Sequence, residues 1–491
     1  MNRISSFLLA AFVLASCSNL SNKIAPEHHA QLVDGATTRG GFIITGPIQG
    51  GKHDWPFGAY FGNISDIGYI EEEYFIEGIA QHYQPLDKLT KDGKWSLEAI
   101  STAPYKTRIL VRRPAESAKF NGIVVVEWAN VSAGFEISLL DSPGLYNEGF
   151  AYVSVSAQMN GVYGFEENPQ GLIHWDGERY DSLNIPHDGL SYDIFTQAAR
   201  AIGKDRPKEG IDPMGGLDVQ KVFAAGASQS GSRVLSYANG VQTIEHTFDA
   251  IAIIVNSGRG TDFDRAMAHI KENGETKVRT VLSKAREDIN CKVFIINTQT
   301  ESSALGGLAQ RDTESICSWQ VAGAAHFPPR SMAITSQKLE RDRITSTAFS
   351  APADALRAVE WPYIYEAALV LITKWIDDGT QPPKIPPLAT INILFGYWKD
   401  AYGNAKGGVR LPEIEVPIAK YDISLMQGLG AKITPFTAKQ LLKLYPSHQD
   451  YVDKVKAAAL RMAELGIILP YVAEQYIREA ETAPIPAPLE G

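Results

Sequence analysis

Apolar residues along this chain gather in short runs separated by stretches of helical spacing. Runs at 105–111, 122–128, 151–156, 221–224, 250–255, 292–297 and 318–321 are rich in β-branched and aromatic residues, and most are apolar throughout rather than alternating. Such runs predict strands buried on both faces of a mostly parallel sheet. Between them, 191–202 and 232–239 carry the spacing of amphipathic helices. Strands alternating with helices predict an α/β fold built on an open, doubly wound sheet. A longer amphipathic stretch at 355–378 closes this region, and Gly379 with Pro382 and Pro383 terminates it.

Beyond Pro383 the pattern changes. A Gly/Pro-rich segment at 400–417 precedes helical patterns at 437–445, 448–465 and 471–480, with Ser447 as an N-cap, Gly466 as a C-terminal stop and Pro470 in a first turn. A segment of about 100 residues with few large aromatics per helix makes a modest core alone, so it reads as an extension packed on the main domain. At the other end, Arg3 is followed by an apolar run over 4–15, interrupted only by Ser5 and Ser6, that is too short to span a bilayer. This is the pattern of a secretory signal peptide. The expected division is a leader at 1–16, a flexible tether at 17–40, an α/β domain at 41–384 and a helical extension at 385–491.

The leader ends in Leu14-Ala15-Ser16-Cys17, which resembles the bacterial lipobox and implies acylation of Cys17. Ser18 rather than Asp after it resembles lipoproteins sorted to the outer membrane. The expected location is the bacterial cell envelope, with the membrane engaged through the N-terminal lipid only. Ordinary signal cleavage at a small residue is the alternative.

The 491 residues are 44% hydrophobic and 10% aromatic, enough for a large core. With 46 Lys+Arg against 56 Asp+Glu the net charge is −10, the wrong sign for a phosphate-binding surface, so nucleic acid is disfavoured as a partner. Three cysteines without a Cys-x-x-Cys pair or a His/Cys cluster argue against a zinc site, and neither a metal nor an organic cofactor is implied.

Chemistry enters where the run at 221–224 meets Gly226-Ala227-Ser228-Gln229-Ser230-Gly231, followed by a helical pattern. Strand, tight small-residue turn and helix are the context of a nucleophile elbow, with Ser228 projecting above the sheet. Ser230 replaces the last glycine of the usual G-x-S-x-G and is the alternative nucleophile. A serine hydroxyl needs a base and an orienting acid. His326 follows the run at 318–321 in a loop of small residues, and Glu301 stands at the end of the run at 292–297, with Asp312 as the rival acid. The oxyanion donors are expected from the backbone N–H of Gln229 and from the loop after the run at 122–128, near Asn130 and Val131.

Several strings are similar to a bacterial family of "alpha/beta hydrolase domain-containing" proteins. They are 124–132 (VVVEWANVS), 152–158 (YVSVSAQ), 191–195 (SYDIF), the elbow, 319–323 (WQVAG) with His326, Trp375-Ile376 with Asp378-Gly379, and 403–410 (GNAKGGVR). The resemblance implies an α/β-hydrolase fold, assigns Ser228 and His326 as nucleophile and base, and makes Ser230 a family trait. Gln299 and Gln320 depart from the glutamates expected there.

The resulting expectation is a lipid-anchored serine hydrolase, foremost a carboxylic ester hydrolase acting on a small-molecule ester through an acyl-enzyme. An amidase or peptidase would use the same triad. From another class, a catalytically silent fold kept as a binding or scaffold lipoprotein is the alternative. In such a sheet the runs at 292–297 and 318–321 are the last two parallel neighbours. Strands about 4.8 Å apart then allow a disulfide between Cys291 and Cys317, which an exported chain can oxidise. Two buried free thiols are the alternative.

Overall fold

The computed structural model describes residues 41–263, 269–272, 275–278, 280–305, 309–346, 358–392, 396–423 and 429–485. The leader and tether at 1–40, including Cys17, lie outside the described residues, as does the start of the helical stretch expected from 355. Among the described residues nine strands form the main sheet: β1 (Ile43–Thr45), β2 (Tyr69–Pro85), β3 (Leu97–Pro114), β4 (Ile123–Trp128), β5 (Ala151–Val155), β6 (Lys221–Ala227), β7 (Ala250–Ile254), β8 (Lys292–Thr298) and β9 (Ile316–Val321). Their spatial order is β1-β2-β3-β5-β4-β6-β7-β8-β9. The last six in that order, β5 to β9, run parallel. In the first three each strand is antiparallel to its neighbour, and β3 is antiparallel to β5.

Each parallel strand is buried on both faces because alternate residues feed two separate apolar cores. On β6, Val222 and Ala224 face one core, while Phe223, Ala225 and Ala227 face the other. The first core takes α1 (Ser191–Ile202) through Ile194, Phe195 and Ala198, and α2 (Gln229–Ser236) through Val234 and Leu235. It also takes Met332 and Leu339 from α4 (Pro329–Arg341), which lies beyond α3 (Gln299–Leu305). The second core holds α5 (Pro362–Asp377), which ends at Gly379 with φ +78°, together with the three C-terminal helices α6 (Ala438–Leu444), α7 (His448–Glu464) and α8 (Pro470–Thr482). Ser447 caps α7 by accepting from Asp450 N–H, and Pro470 opens α8. Leu441, Val455 and Val472 join Ile364, Leu369 and Trp375 in one apolar cluster, so among the described residues the C-terminal helices share the core of the second sheet face.

The long β2–β3 hairpin largely escapes the hydrophobic pattern. Only 105–111 marks a stretch that forms an 18-residue β3 paired along its length with the 17-residue β2. The cause is charge: β2 carries Glu71, Glu72 and Glu73, and β3 carries Arg108, Arg112 and Arg113, a composition that reads as loop. Folding pairs them across the hairpin. Arg112 meets Glu71 at 2.6 Å and Asp141 at 2.8 Å, while Glu73 binds Arg108 at 3.2 Å and Arg179 at 2.7 Å. Removing one member of such a buried pair leaves an uncompensated charge and costs about 3–5 kcal/mol.

The expected Cys291–Cys317 disulfide is corrected. β8 and β9 are parallel neighbours as anticipated, but the register sets Cys317 opposite Phe294, three residues beyond Cys291. An odd offset also reverses the face: Cys291 packs in the first core and Cys317 in the second. Both thiols are free and buried, and burial raises the pKa of each. The structure predicts that a maleimide reagent labels neither position in native protein and both after denaturation without reductant, as read by peptide mass mapping; loss of either label in the denatured sample would restore the bridge.

Candidate active site

The site begins with a backbone problem. β6 delivers the chain to the sheet's C-terminal edge, and α2 must start at once behind it, leaving one residue for the reversal. That residue is Ser228, at φ +60° and ψ −117°. The approach is close enough that a Cβ on Gly226 would lie 2.6 Å from Ser230 O, and one on Gly231 would lie 2.9 Å from Ile254 O. Ser228 N–H donates to Ile254 O at 3.0 Å, tying the turn to β7. Helix α2 starts at Gln229, three residues before the pattern predicts, and continues through a π-helical turn at Tyr237–Val241. Ser230 is fully buried behind the turn. Its Oγ donates to Ala227 O at 2.9 Å and accepts from Ala227 N–H at 3.0 Å.

Ser228 Oγ lies 2.9 Å from His326 Nε2, and His326 Nδ1 lies 2.6 Å from Glu301 Oε1. The imidazole arrives on the loop after β9, whose small residues allow a tight path: Gly323 sits at φ +72°, and its N–H donates to Gln299 Oε1 at 3.0 Å. Trp361 Nε1–H donates to His326 O and fixes the loop from outside. Glu301 lies in the first turn of α3, directly after β8, with its second oxygen accepting from Thr298 N–H at 2.9 Å and from Thr298 Oγ–H. Burial works to raise the Glu301 pKa, but the neighbouring imidazole and the Thr298 bonds outweigh it and hold it below the ordinary value. The arrangement can pass a proton from the serine to the imidazole while the carboxylate balances the charge.

Asp312 takes no part in this chain; its carboxylate accepts from Ser318 N–H at 2.8 Å. The two unexpected glutamines have structural partners instead. Gln299 joins the end of β8 to the histidine loop, and Gln320 Oε1 accepts from Leu388 N–H at 2.8 Å. Thr298, the direct support of Glu301, is not signalled by any motif.

Of the three expected oxyanion donors, one stands at a helix start and two have acceptors within the protein. Gln229 is the first residue of α2, where backbone N–H groups lack intrahelical acceptors and the helix dipole favours negative charge. Asn130 N–H, however, donates to Ile137 O at 3.1 Å, and Val131 N–H donates to the Gln229 side-chain Oε1 at 3.3 Å. The loop folds back on itself through the Asn130–Ile137 pairing, and Glu127 at its base accepts from Leu139 N–H at 2.8 Å. Burial pushes the Glu127 carboxyl up to about 8 against the opposing bonds from Tyr152 and this loop.

Behind the loop runs a buried chain that sequence reasoning missed. Gln229 Nε2 donates to Gln158 Oε1 at 2.8 Å, Trp128 Nε1 donates to the same oxygen at 2.9 Å, and Gln158 Nε2 reaches Asp188. Asp188 is held by Arg233 at 2.8 Å, whose guanidinium stacks over Trp128 and Tyr192. Its members are far apart in sequence, so only folding brings them together. Among the described residues no group of three or more His, Cys, Asp or Glu side chains is arranged to hold a metal ion.

A family model described as "Alpha/beta hydrolase domain" matches residues 44–478. No curated protein matches the chain. Among solved structures, it is similar to an arylesterase at 12% identity, covering 54% of this chain and 86% of that one with a TM-score of 0.26. It is also similar to esterase B from Lactobacillus rhamnosis, at 10% identity over 49% of this chain and 67% of that one, with a TM-score of 0.23. With the family model spanning most of its length and a parallel sheet carrying a serine elbow, the chain belongs to the alpha/beta hydrolase domain family.

Proposed function

We propose that the protein is a serine hydrolase that cleaves carboxylic esters of small molecules through an acyl-enzyme. One observation carries the reading: Ser228 Oγ, His326 and Glu301 form an unbroken hydrogen-bonded line with links of 2.9 and 2.6 Å. Ser228 attacks the ester carbonyl, His326 Nε2 takes its proton and returns it to the leaving alcohol, and Glu301 remains ionised to orient the ring. The Gln229 N–H is the first oxyanion donor. Val131 N–H becomes the second when the Gln229 side chain gives way to the substrate oxygen. Water then releases the acid by the same proton route.

A second reading has its own support. With Asn130 and Val131 both engaged internally, the resting loop offers no second donor from either position, as a silent binding protein of this fold would tolerate. The two readings part on turnover. Under the proposal Ser228→Ala stays folded, with an unchanged circular dichroism spectrum, and its kcat on p-nitrophenyl butyrate falls by roughly 10⁴-fold or more. Wild-type protein no faster than this variant would favour the silent fold.

Glu301 is proposed as the acid. In Glu301→Gln the downfield Nδ1–H proton resonance of His326 should vanish and kcat should drop, whereas Asp312→Asn should keep both. A surviving resonance in Glu301→Gln would remove Glu301 from the triad.

We further propose that the enzyme is held in the bacterial envelope by a lipid on Cys17, a reading supported by the Leu14-Ala15-Ser16-Cys17 ending. Cys17→Ala should then abolish incorporation of labelled palmitate and move activity from the membrane fraction to the soluble one; equal membrane retention of the variant would contradict the anchor.

A further inference from the structure

The carboxamide that occupies the Val131 N–H is not free to turn. Trp128 Nε1–H can only donate, so the Gln158 atom 2.9 Å from it is the carboxamide oxygen. That oxygen also requires a donor from Gln229, which turns the Gln229 NH2 toward it at 2.8 Å and leaves the Gln229 oxygen facing Val131 N–H at 3.3 Å. The other end agrees. Gln158 Nε2–H donates to Asp188 Oδ2 at 3.3 Å, and Arg233 Nη2–H donates to the same oxygen at 2.8 Å. Trp128, Val131, Gln158, Gln229 and Arg233 are all buried, so turning either amide would set donor against donor away from water.

This polarity bears on the reaction. A neutral ester carbonyl is an acceptor no stronger than the carboxamide oxygen already on Val131, whereas an oxyanion makes charge-assisted bonds about twice as strong. Only the charged species gains by displacing the Gln229 oxygen. A donor held in this way serves the transition state and not the ground state.

We propose that Gln158 is a positioning residue of the active site. Anchored by Trp128 and Asp188, it holds the Gln229 oxygen on Val131 N–H, so that the second oxyanion donor is closed to a neutral carbonyl and opens to the oxyanion. That selection rests on the esterase reading; the resting contact does not. The test therefore has two arms. In the first, Gln229→Ala keeps the backbone N–H of position 229 and frees Val131 to meet the carbonyl before reaction. KM for an alkyl butyrate should fall about threefold to tenfold, the effect of one neutral hydrogen bond, with kcat changed by less than about twofold. Gln158→Met should lower KM likewise, yet add nothing in the Gln229→Ala background, because it acts through that carboxamide. Trp128→Phe, which removes the N–H that orients Gln158, carries the same comparison if Gln158→Met does not fold. An unchanged or higher KM in Gln229→Ala, or a Gln158→Met effect equal in both backgrounds, overturns the role. In the second arm, the full chain is labelled with [15N]valine, and the Val131 amide signal is identified by its loss in Val131→Ala. Its proton should move upfield in Gln229→Ala and in Gln158→Met. A signal unmoved in both overturns the proposal whatever the turnover. An upfield shift in both, without hydrolysis of the ester by wild-type protein, supports the resting contact and overturns the esterase reading alone.

Discussion

The structure depends on one reversal of the backbone, between the last residue of a buried strand and the first of a helix packed against it. Holding a serine at φ +60° costs on the order of 1–3 kcal/mol, and the surroundings must over-determine it. They do so locally. Ser228 N–H is bonded to β7, and the Ser230 hydroxyl both donates to and accepts from the backbone of Ala227. A glycine at 230 would make neither Ser230 bond. The departure from G-x-S-x-G thus has a physical role: the close approach that usually requires the last glycine is carried by Gly231, which frees position 230 to brace the turn. Val255, β-branched and at φ +44°, places a second strained residue at the same edge, just after β7.

The sheet turns that local strain into a site. Because the six strands β4 to β9 are parallel, their C-terminal ends share one edge, and the loops after β4, β6, β8 and β9 deliver the Gln229 partner loop, Ser228, Glu301 and His326 to it. Two buried carboxylates at this edge then behave oppositely. Glu301 faces an imidazole and Thr298 and is held low despite burial, while burial pushes Glu127 up to about 8. Environment, rather than residue type, separates a carboxylate suited to balancing a protonated histidine from one that closes a loop.

How much of this the chain announces varies with the range of the interaction. The parallel strands are legible because each is apolar throughout, and the elbow because its glycines and serines are contiguous. The order of Ser228, Glu301 and His326 along the chain is legible for the same reason. Strand β2 is not, since its glutamates become strand-compatible only when arginines of β3 and Arg179 neutralise them. The misplaced disulfide shows the limit of strand adjacency: neighbours were recognised, but a three-residue register offset decides the face. The Gln229–Gln158–Asp188–Arg233 chain spans residues 158 to 233 and leaves no local pattern at all.

The central claim is that Ser228 is an activated nucleophile, and a fluorophosphonate probe interrogates that hydroxyl directly because it reacts with serines made nucleophilic by an adjacent base. The account predicts a single phosphonyl adduct per folded chain, mapped by peptide mass spectrometry to Ser228 and lost when His326 is replaced by alanine. Native, folded protein that takes up no probe, or an adduct mapped to Ser230, would contradict it.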